Sequence, residues 1–296
     1  RRPPGSTLFP YTTLFRSAQI RFSGILRMVL ALCLACWLPA ASAQQAPLKL
    51  GIMPFNSPLA LIRTHQPLTE HLERELGRKI IVLTSPDYFT HINQLLAGDF
   101  DLAISGPHFG AMASQRGMRL LFRYATDLQP VFVVREDSPI QQASQFAGKT
   151  IALSSRLSIS SIGGVDWLRQ QGLRPNVDFQ VVEYSSHGAA IAAVAAGTAD
   201  AAVTTHTPLR QIPADLRQQV RLLSSEIHMP HLMTLAHGRL GAPTIEQVRK
   251  ALLGFQKTQA GEAFFRDTGY RGYTAITPDD IDKLRPFVDL TVHMMR

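Results

Sequence analysis

Ser158-Ile159-Ser160-Ser161 stands where an amphipathic segment begins, and its residue types suit an anion. The first turn of a helix leaves up to four backbone N–H groups without partners, and serine hydroxyls add further donors. The same serines also read as ordinary N-caps. His187 follows Ser185-Ser186 at the start of another helical stretch. An imidazole at a helix N-terminus tends to remain neutral and donate, because the positive end of the helix dipole disfavours its charged form; capping is the plainer role. His228 and His231 flank Pro230 at a spacing of three, conceivable for a metal pair, but no HExxH is present and no third ligand follows from the spacing. Neither GxxxxGKS/T nor GxGxxG occurs, which argues against nucleotide phosphates. GxSxG is missing too, and no recognisable motif places paired carboxylates, although scattered serines and histidines leave a triad open.

These residues need elements to hold them, and short apolar strands alternate with amphipathic helices through most of the chain. Strands are expected at 47–53, 79–84 and 101–105. Between them the spacing predicts a helix over 69–76 closed by Gly77, and one capped by Asp87 with Phe89, Ile92 and Leu96 inward, closed by Gly98. The alternation restarts with strands at 131–135, 150–153, 179–184 and 201–205, separated by helices over 160–171 and 187–196. A long helix over 244–259, with Ile245, Val248, Leu252 and Phe255 on one face, and a shorter one around 262–266 follow. Such alternation implies parallel sheets covered by helices, here as two α/β units. Ligands of open α/β sheets bind beyond the carboxyl ends of the strands. Those ends carry Phe55-Asn56-Ser57, Ser105-Gly106-Pro107-His108, Ser154-Ser155-Arg156, Ser185-Ser186-His187 and Thr204-Thr205-His206. Each alone reads as a turn or cap. Together they read as a pocket.

Composition narrows the classes further. Residues 7–17 (TLFPYTTLFRS) look like the translation of a sequencing-adapter oligonucleotide, so 1–17 are set aside as an artefact. Residues 18–43 read as a signal peptide: Arg21 and Arg27, an apolar run over 28–38, then Ala41-Ser42-Ala43 as a cleavage site. Cleavage after Ala43 implies export to the periplasm; Leu34-Ala35-Cys36 only partly resembles a lipobox. Removing 43 of the 296 residues leaves 253, ample for a core. Five of the 30 basic residues and none of the 22 acidic ones precede Gln44, so the remainder carries 25 against 22, a net +3. That weakens any nucleic-acid reading. Both cysteines, Cys33 and Cys36, fall in the leader, which leaves the exported part without disulfides, thiolates or cysteine-bound metals.

Several stretches then combine: LGIMPFNSP at 50–58, SPDYFTHINQLLAGDFDLAISGP at 85–107, VFVVREDSPI at 131–140, GKTIALSSRLSIS at 148–160, SSHGAAIAAVAAGTADAAV at 185–203 and QAGEAFFRDTGYRGY at 259–273. In this order they resemble the periplasmic substrate-binding proteins of phosphate, phosphite and phosphonate ABC importers. The resemblance implies an α/β type II periplasmic binding protein fold, with two lobes joined by two crossover hinge strands. It places lobe one at 46–127 plus 232–296 and lobe two at 128–231, with the crossovers near Leu128 and Met229. It also implies closure on a small oxyanion without catalysis or cofactor, permease subunits as partners, and a monomer without nucleic acid. Ser158, Ile159 and Ser160 match the family's Ser-Thr-Ser anion loop with the middle hydroxyl lost, Tyr88 its Pro-Asp-Tyr tyrosine, and His187 its helix-opening histidine. A second family tyrosine is Leu128 here, and an acidic residue that holds a ligand amine is Gly188. The candidate site is therefore Tyr88, Ser158, Ile159, Ser160, Ser161 and His187, with Phe55, Asn56 and Ser105 from the strand ends. A sensor domain of the same fold feeding a membrane kinase, or an enzyme on this scaffold, are the alternatives.

Overall fold

The structure is a computed structural model and describes residues 45–296. The adapter-like stretch, the signal peptide and its two cysteines lie outside the described residues. Among those described, no helix is long and apolar enough to cross a membrane.

The first unit runs β1 (Leu48–Ile52), α1 (Pro58–Leu76), β2 (Ile80–Thr84), α2 (Tyr88–Ala97), β3 (Leu102–Ser105), α3 (Pro107–Ser114) and β4 (Met118–Tyr124). The chain then leaves to build β5 (Val131–Arg135), β6 (Thr150–Leu153), α4 (Ile159–Gln170), β7 (Gln180–Glu183), α5 (His187–Ala195), β8 (Ala201–Thr204), α6 (His206–Gln211), α7 (Ala214–Arg217) and β9 (Val220–Ser224). It returns with β10 (Met233–His237), α8 (Gly241–Phe255), α9 (Gln259–Thr268), β11 (Tyr273–Thr274) and α10 (Pro278–Met294). Two sheets result, ordered β11-β4-β10-β3-β1-β2 and β7-β6-β8-β5-β9. In the first, β1 pairs in parallel with β2 and β3, and the returning β10 inserts antiparallel between β3 and β4. Between the sheets the two crossings touch, and Leu128 and Met229 exchange backbone hydrogen bonds at 2.8 and 3.0 Å.

The central strands are apolar on both faces because helices cover both. β5 shows this residue by residue: Phe132 and Val134 pack with Ile151, Leu153, Trp167 and Leu168, while Val133 on the opposite face packs with Ala152, Ala190, Ile191 and Val194. Helix α4 sits unusually close to its sheet. A Cβ on Gly164 would lie 2.7 Å from Val203, and one on Gly163 would lie 2.8 Å from Met229. Only glycine allows that approach, which presses the start of α4 against the crossing.

Three elements differ from their sequence expectation. Helix α1 starts at Pro58, capped by the Ser57 hydroxyl, and continues through Pro67, which reads as a breaker. Burial of Leu61, His65, Leu68 and Leu72 on one stripe outweighs the single lost hydrogen bond. Helix α2 is turned relative to the expected face: Tyr88, His91, Ile92 and Leu95 are inward, and Phe89 is exposed. The 244–259 helix stops at Phe255, and Thr258 caps a separate α9 that folds back so tightly that a Gly261 Cβ would stand 1.9 Å from the Phe255 carbonyl.

Candidate functional site

A cavity of about 30 Å³ lies between the two sheets. Met53, Phe55 and Tyr88 face it from one side, and Ser158, Ile159, Ser160, His187, Thr205, Thr207 and Pro208 from the other. Leu128, His231 and Leu232 close it along the crossings, and Tyr270 arrives from the turn after α9.

Six of the nine sequence candidates thus meet at one place: Phe55, Tyr88, Ser158, Ile159, Ser160 and His187. The other three do not reach it. Ser105 is buried beneath, with its hydroxyl 2.9 Å from His91 Nε2. Asn56 Oδ1 accepts from Ser57 N–H at 2.9 Å, and its Nδ2 donates to Gln211 Oε1 at 2.9 Å. Ser161 borders a separate cavity of about 250 Å³, and its hydroxyl is buried without a hydrogen-bond partner. A position at a strand end tells that a residue is near the mouth, not which way its side chain turns.

The start of α4 differs from its neighbours in how it is capped. Ser57, Asp87 and Ser186 each accept a backbone N–H of their own helix. Ser158 makes no such bond, and its hydroxyl instead meets that of Ser160 at 2.8 Å. The N–H groups of Ile159, Ser160 and Ser161 are left without a backbone acceptor. Ile159, in the middle, carries no hydroxyl but packs with the core of the first unit, so the loop is anchored across the gap by apolar contact.

Opposite stands Tyr88, whose buried hydroxyl has no hydrogen-bond partner. Burial pushes its pKa up to about 12, opposed by the nearby Ser154 and Ser158 hydroxyls, so it is a neutral donor. Burial also lowers His187 to about 4, opposed by the Val203 carbonyl, and lowers His231 to about 3, with Arg123 adding to the effect. His187 Nε2 lies 3.3 Å from Ser154 Oγ. This serine–histidine contact is no triad: Nδ1 has no side-chain partner, and an imidazole with so low a pKa is a weak base. Every polar group on the cavity wall is uncharged, and no Asp, Glu, Lys or Arg lines it. Such a wall stabilises an anion through preorganised N–H and O–H dipoles, which act strongly where water is excluded.

His231, Thr207 and Tyr270 were not picked out from sequence for this cavity. His231 packs edge-on against Tyr124 and Tyr270 at ring separations of 5.7 and 4.9 Å, and its Nδ1 accepts the Leu232 N–H. Tyr270 stacks on Tyr124 at 3.9 Å. Tyr270 lies in the 259–273 stretch that carries the family resemblance, and this was the available signal.

Hydrogen bonds cross the gap around the cavity. His187 N–H donates to the Phe55 carbonyl at 3.4 Å, Thr207 Oγ1 donates to the Thr268 carbonyl at 2.8 Å, and His108 Nε2 meets the Leu157 carbonyl at 2.9 Å. Gln211, held by Asn56, also reaches Thr64 Oγ1 at 3.4 Å.

Two α/β lobes on paired crossings, with a polar cavity between them, define a type II periplasmic binding protein fold. Solved structures share it. PhnD1 from Prochlorococcus marinus in complex with methylphosphonate aligns with a TM-score of 0.73 at 15% identity, covering 82% of this chain and 97% of that one. A binding protein component of an ABC phosphonate transporter from Pseudomonas aeruginosa gives 0.73 at 17% identity, covering 85% and 89%. The alkanesulfonate-binding protein SsuA from Xanthomonas axonopodis pv. citri bound to MOPS gives 0.60 at 19%, covering 85% and 94%. A family model described as "ABC transporter, phosphonate, periplasmic substrate-binding protein" matches residues 50–281. The chain belongs to that family of phosphonate ABC transporter substrate-binding proteins.

Proposed function

We propose that this substrate-binding protein holds a small oxyanion of the phosphonate, phosphate or phosphite class in the interlobe cavity and delivers it to permease subunits without chemical change. One observation carries the reading: the uncapped first turn of α4, with Ser158, Ser160 and the neighbouring His187, faces Tyr88 across a cavity whose wall bears no formal charge. Tyr88, Ser158, Ser160, His187 and the Ile159 N–H supply the donors, and Phe55 bounds the apolar side. Lobes 46–127 plus 232–296 and 128–231 close as rigid bodies about the Leu128–Met229 crossing, since a few hinge residues absorb such motions.

Isothermal titration against phosphate, phosphite, methylphosphonate and 2-aminoethylphosphonate tests the ligand class. Methylphosphonate or phosphate is expected ahead of 2-aminoethylphosphonate, because Gly188 offers no carboxylate to an amine. Saturation should also reduce the radius of gyration in small-angle scattering if the free protein opens. Binding of none of the four would reduce the reading to a fold assignment.

The family is periplasmic, and the leader at 18–43 fits this. N-terminal sequencing of periplasmic material should begin at Gln44. A mature chain starting at a lipid-bearing Cys36 would replace the soluble form with an anchored one.

A further inference from the structure

A groove of about 400 Å³ adjoins the cavity and shares Leu128, Thr205, Thr207 and His231 with it. The character of the wall changes there. Arg210 of α6 enters from one lobe, and Arg266 and Arg271, from the end of α9 and the turn after it, enter from the other. The one carboxylate on the wall, Asp127, is already met by Arg123 at 3.3 Å. Arg266 is held by Asp267 at 3.1 Å. Among the described residues, Arg210 and Arg271 pair with no carboxylate. Arg210 reaches toward the opposite lobe: its Nε would lie 3.4 Å from a Cβ on Gly269, whose positive φ of 81° and lack of a side chain leave the guanidinium its place. A neutral, hydrogen-bonding cavity therefore adjoins a cationic groove, and the same four residues line both. Guanidinium groups recognise carboxylates and phosphates through parallel N–H donors, and they do so most selectively where nothing else neutralises them.

We propose that this groove is a second anion subsite, and that the protein takes phosphonates whose alkyl chain ends in a second anionic group: the phosphonate sits at Ser158–Ser160 and the distal anion at Arg210 and Arg271. The inference rests on the reading of the cavity as the phosphonate site. The tail that fits is negative.

Titration of methylphosphonate, propylphosphonate, 3-phosphonopropionate and 2-aminoethylphosphonate into the wild-type chain, Arg210→Gln, Arg271→Asn and the double variant tests it. Asparagine is chosen at 271 because the backbone there is left-handed, with φ of 57°, and asparagine tolerates that region. The wild type is expected to bind 3-phosphonopropionate about tenfold or more tighter than propylphosphonate, as charge-assisted contacts to two guanidinium groups would give. Each single variant should lose part of that preference and the double variant nearly all of it, with methylphosphonate affinity unchanged. The preference should also shrink as salt is raised, since the groove is open to solvent. Methylphosphonate binding with no preference for the carboxylate tail, or a preference that survives the double variant, overturns the proposal and leaves the cavity reading standing. Two methylphosphonates per chain would mark a separate anion site and overturn the single-ligand arrangement. Failure of all four ligands overturns the cavity reading and the proposal together.

Discussion

Ser160→Ala is expected to weaken methylphosphonate binding by about ten- to a hundredfold, the equivalent of losing one hydrogen bond to a charged group at roughly 1.5–3 kcal/mol. The Ser160 side chain is almost wholly buried at the cavity wall and stands 2.8 Å from the Ser158 hydroxyl. With an anion present, the two hydroxyls can turn their protons toward it together with the unpaired N–H groups of the same turn. The cost to folding should stay near 1 kcal/mol, because no helix cap depends on this side chain and one neutral hydrogen bond is lost. Ser161→Ala is the matched control. Ser161 does not line the cavity, its backbone N–H survives the change, and affinity should stay within about twofold. Titration calorimetry of both variants, with thermal melts to confirm folding, reads the difference. Equal losses in the two, or none in Ser160→Ala, would remove the hydroxyl from the site.

Acidification is expected to have the largest effect on stability. His65, His108 and His187 are lowered by burial to about 4, and His91 and His231 to about 3. Unfolded, each would titrate near its ordinary value of 6.5. As the pH falls below 6.5, the unfolded chain takes up protons that the native chain refuses, so stability falls with falling pH and levels off only near pH 3–4. At pH 5 each of these histidines costs about 2 kcal/mol relative to pH 8, and the five together about 10, as much as the whole stability of an ordinary domain. For a chain of this size the melting temperature should drop by about 20–40 °C between pH 7.5 and 5. Circular dichroism melts across that range decide it, and a shift under about 5 °C would mean that some of these imidazoles are protonated in the native state. Ligand should protect against the loss, because it binds the folded form alone.

Much of this architecture is legible in the chain itself. Apolar runs of four to seven residues, separated by amphipathic segments closed at Gly77 and Gly98, require sheets covered on both faces, and the helix ends fall where those glycines adopt positive φ. Strand ends, the serine turn at 158–161 and the family resemblance together nominate nine residues, and six of them meet at one cavity. The phase of α2 was harder to read. Phe89 is the more apolar choice for an inward position, yet burying Tyr88 and His91 with Ile92 and Leu95 satisfies more of the wall beneath β3. Pro67 hid the first half of α1, because the cost of one lost hydrogen bond is visible locally and the gain from a buried stripe is not.

What the sequence by itself determined is the local structure: the alternation of strand and helix, and a serine turn at the start of α4. Ile159 shows where that ends. Locally it is a hydroxyl missing from an anion loop, whereas in the folded chain it is an apolar anchor packed into the opposite core. Only the tertiary structure decided that Ser161 stays outside the cavity lining, that Asn56 clasps Gln211, that Tyr270 and His231 complete the wall, and that three arginines from both lobes gather beside it. The reason is physical. Local propensity and periodicity report on neighbours within a few residues, but the cavity is made where two separate sheets face each other, and the direction of each side chain there is set by packing against residues far away along the chain.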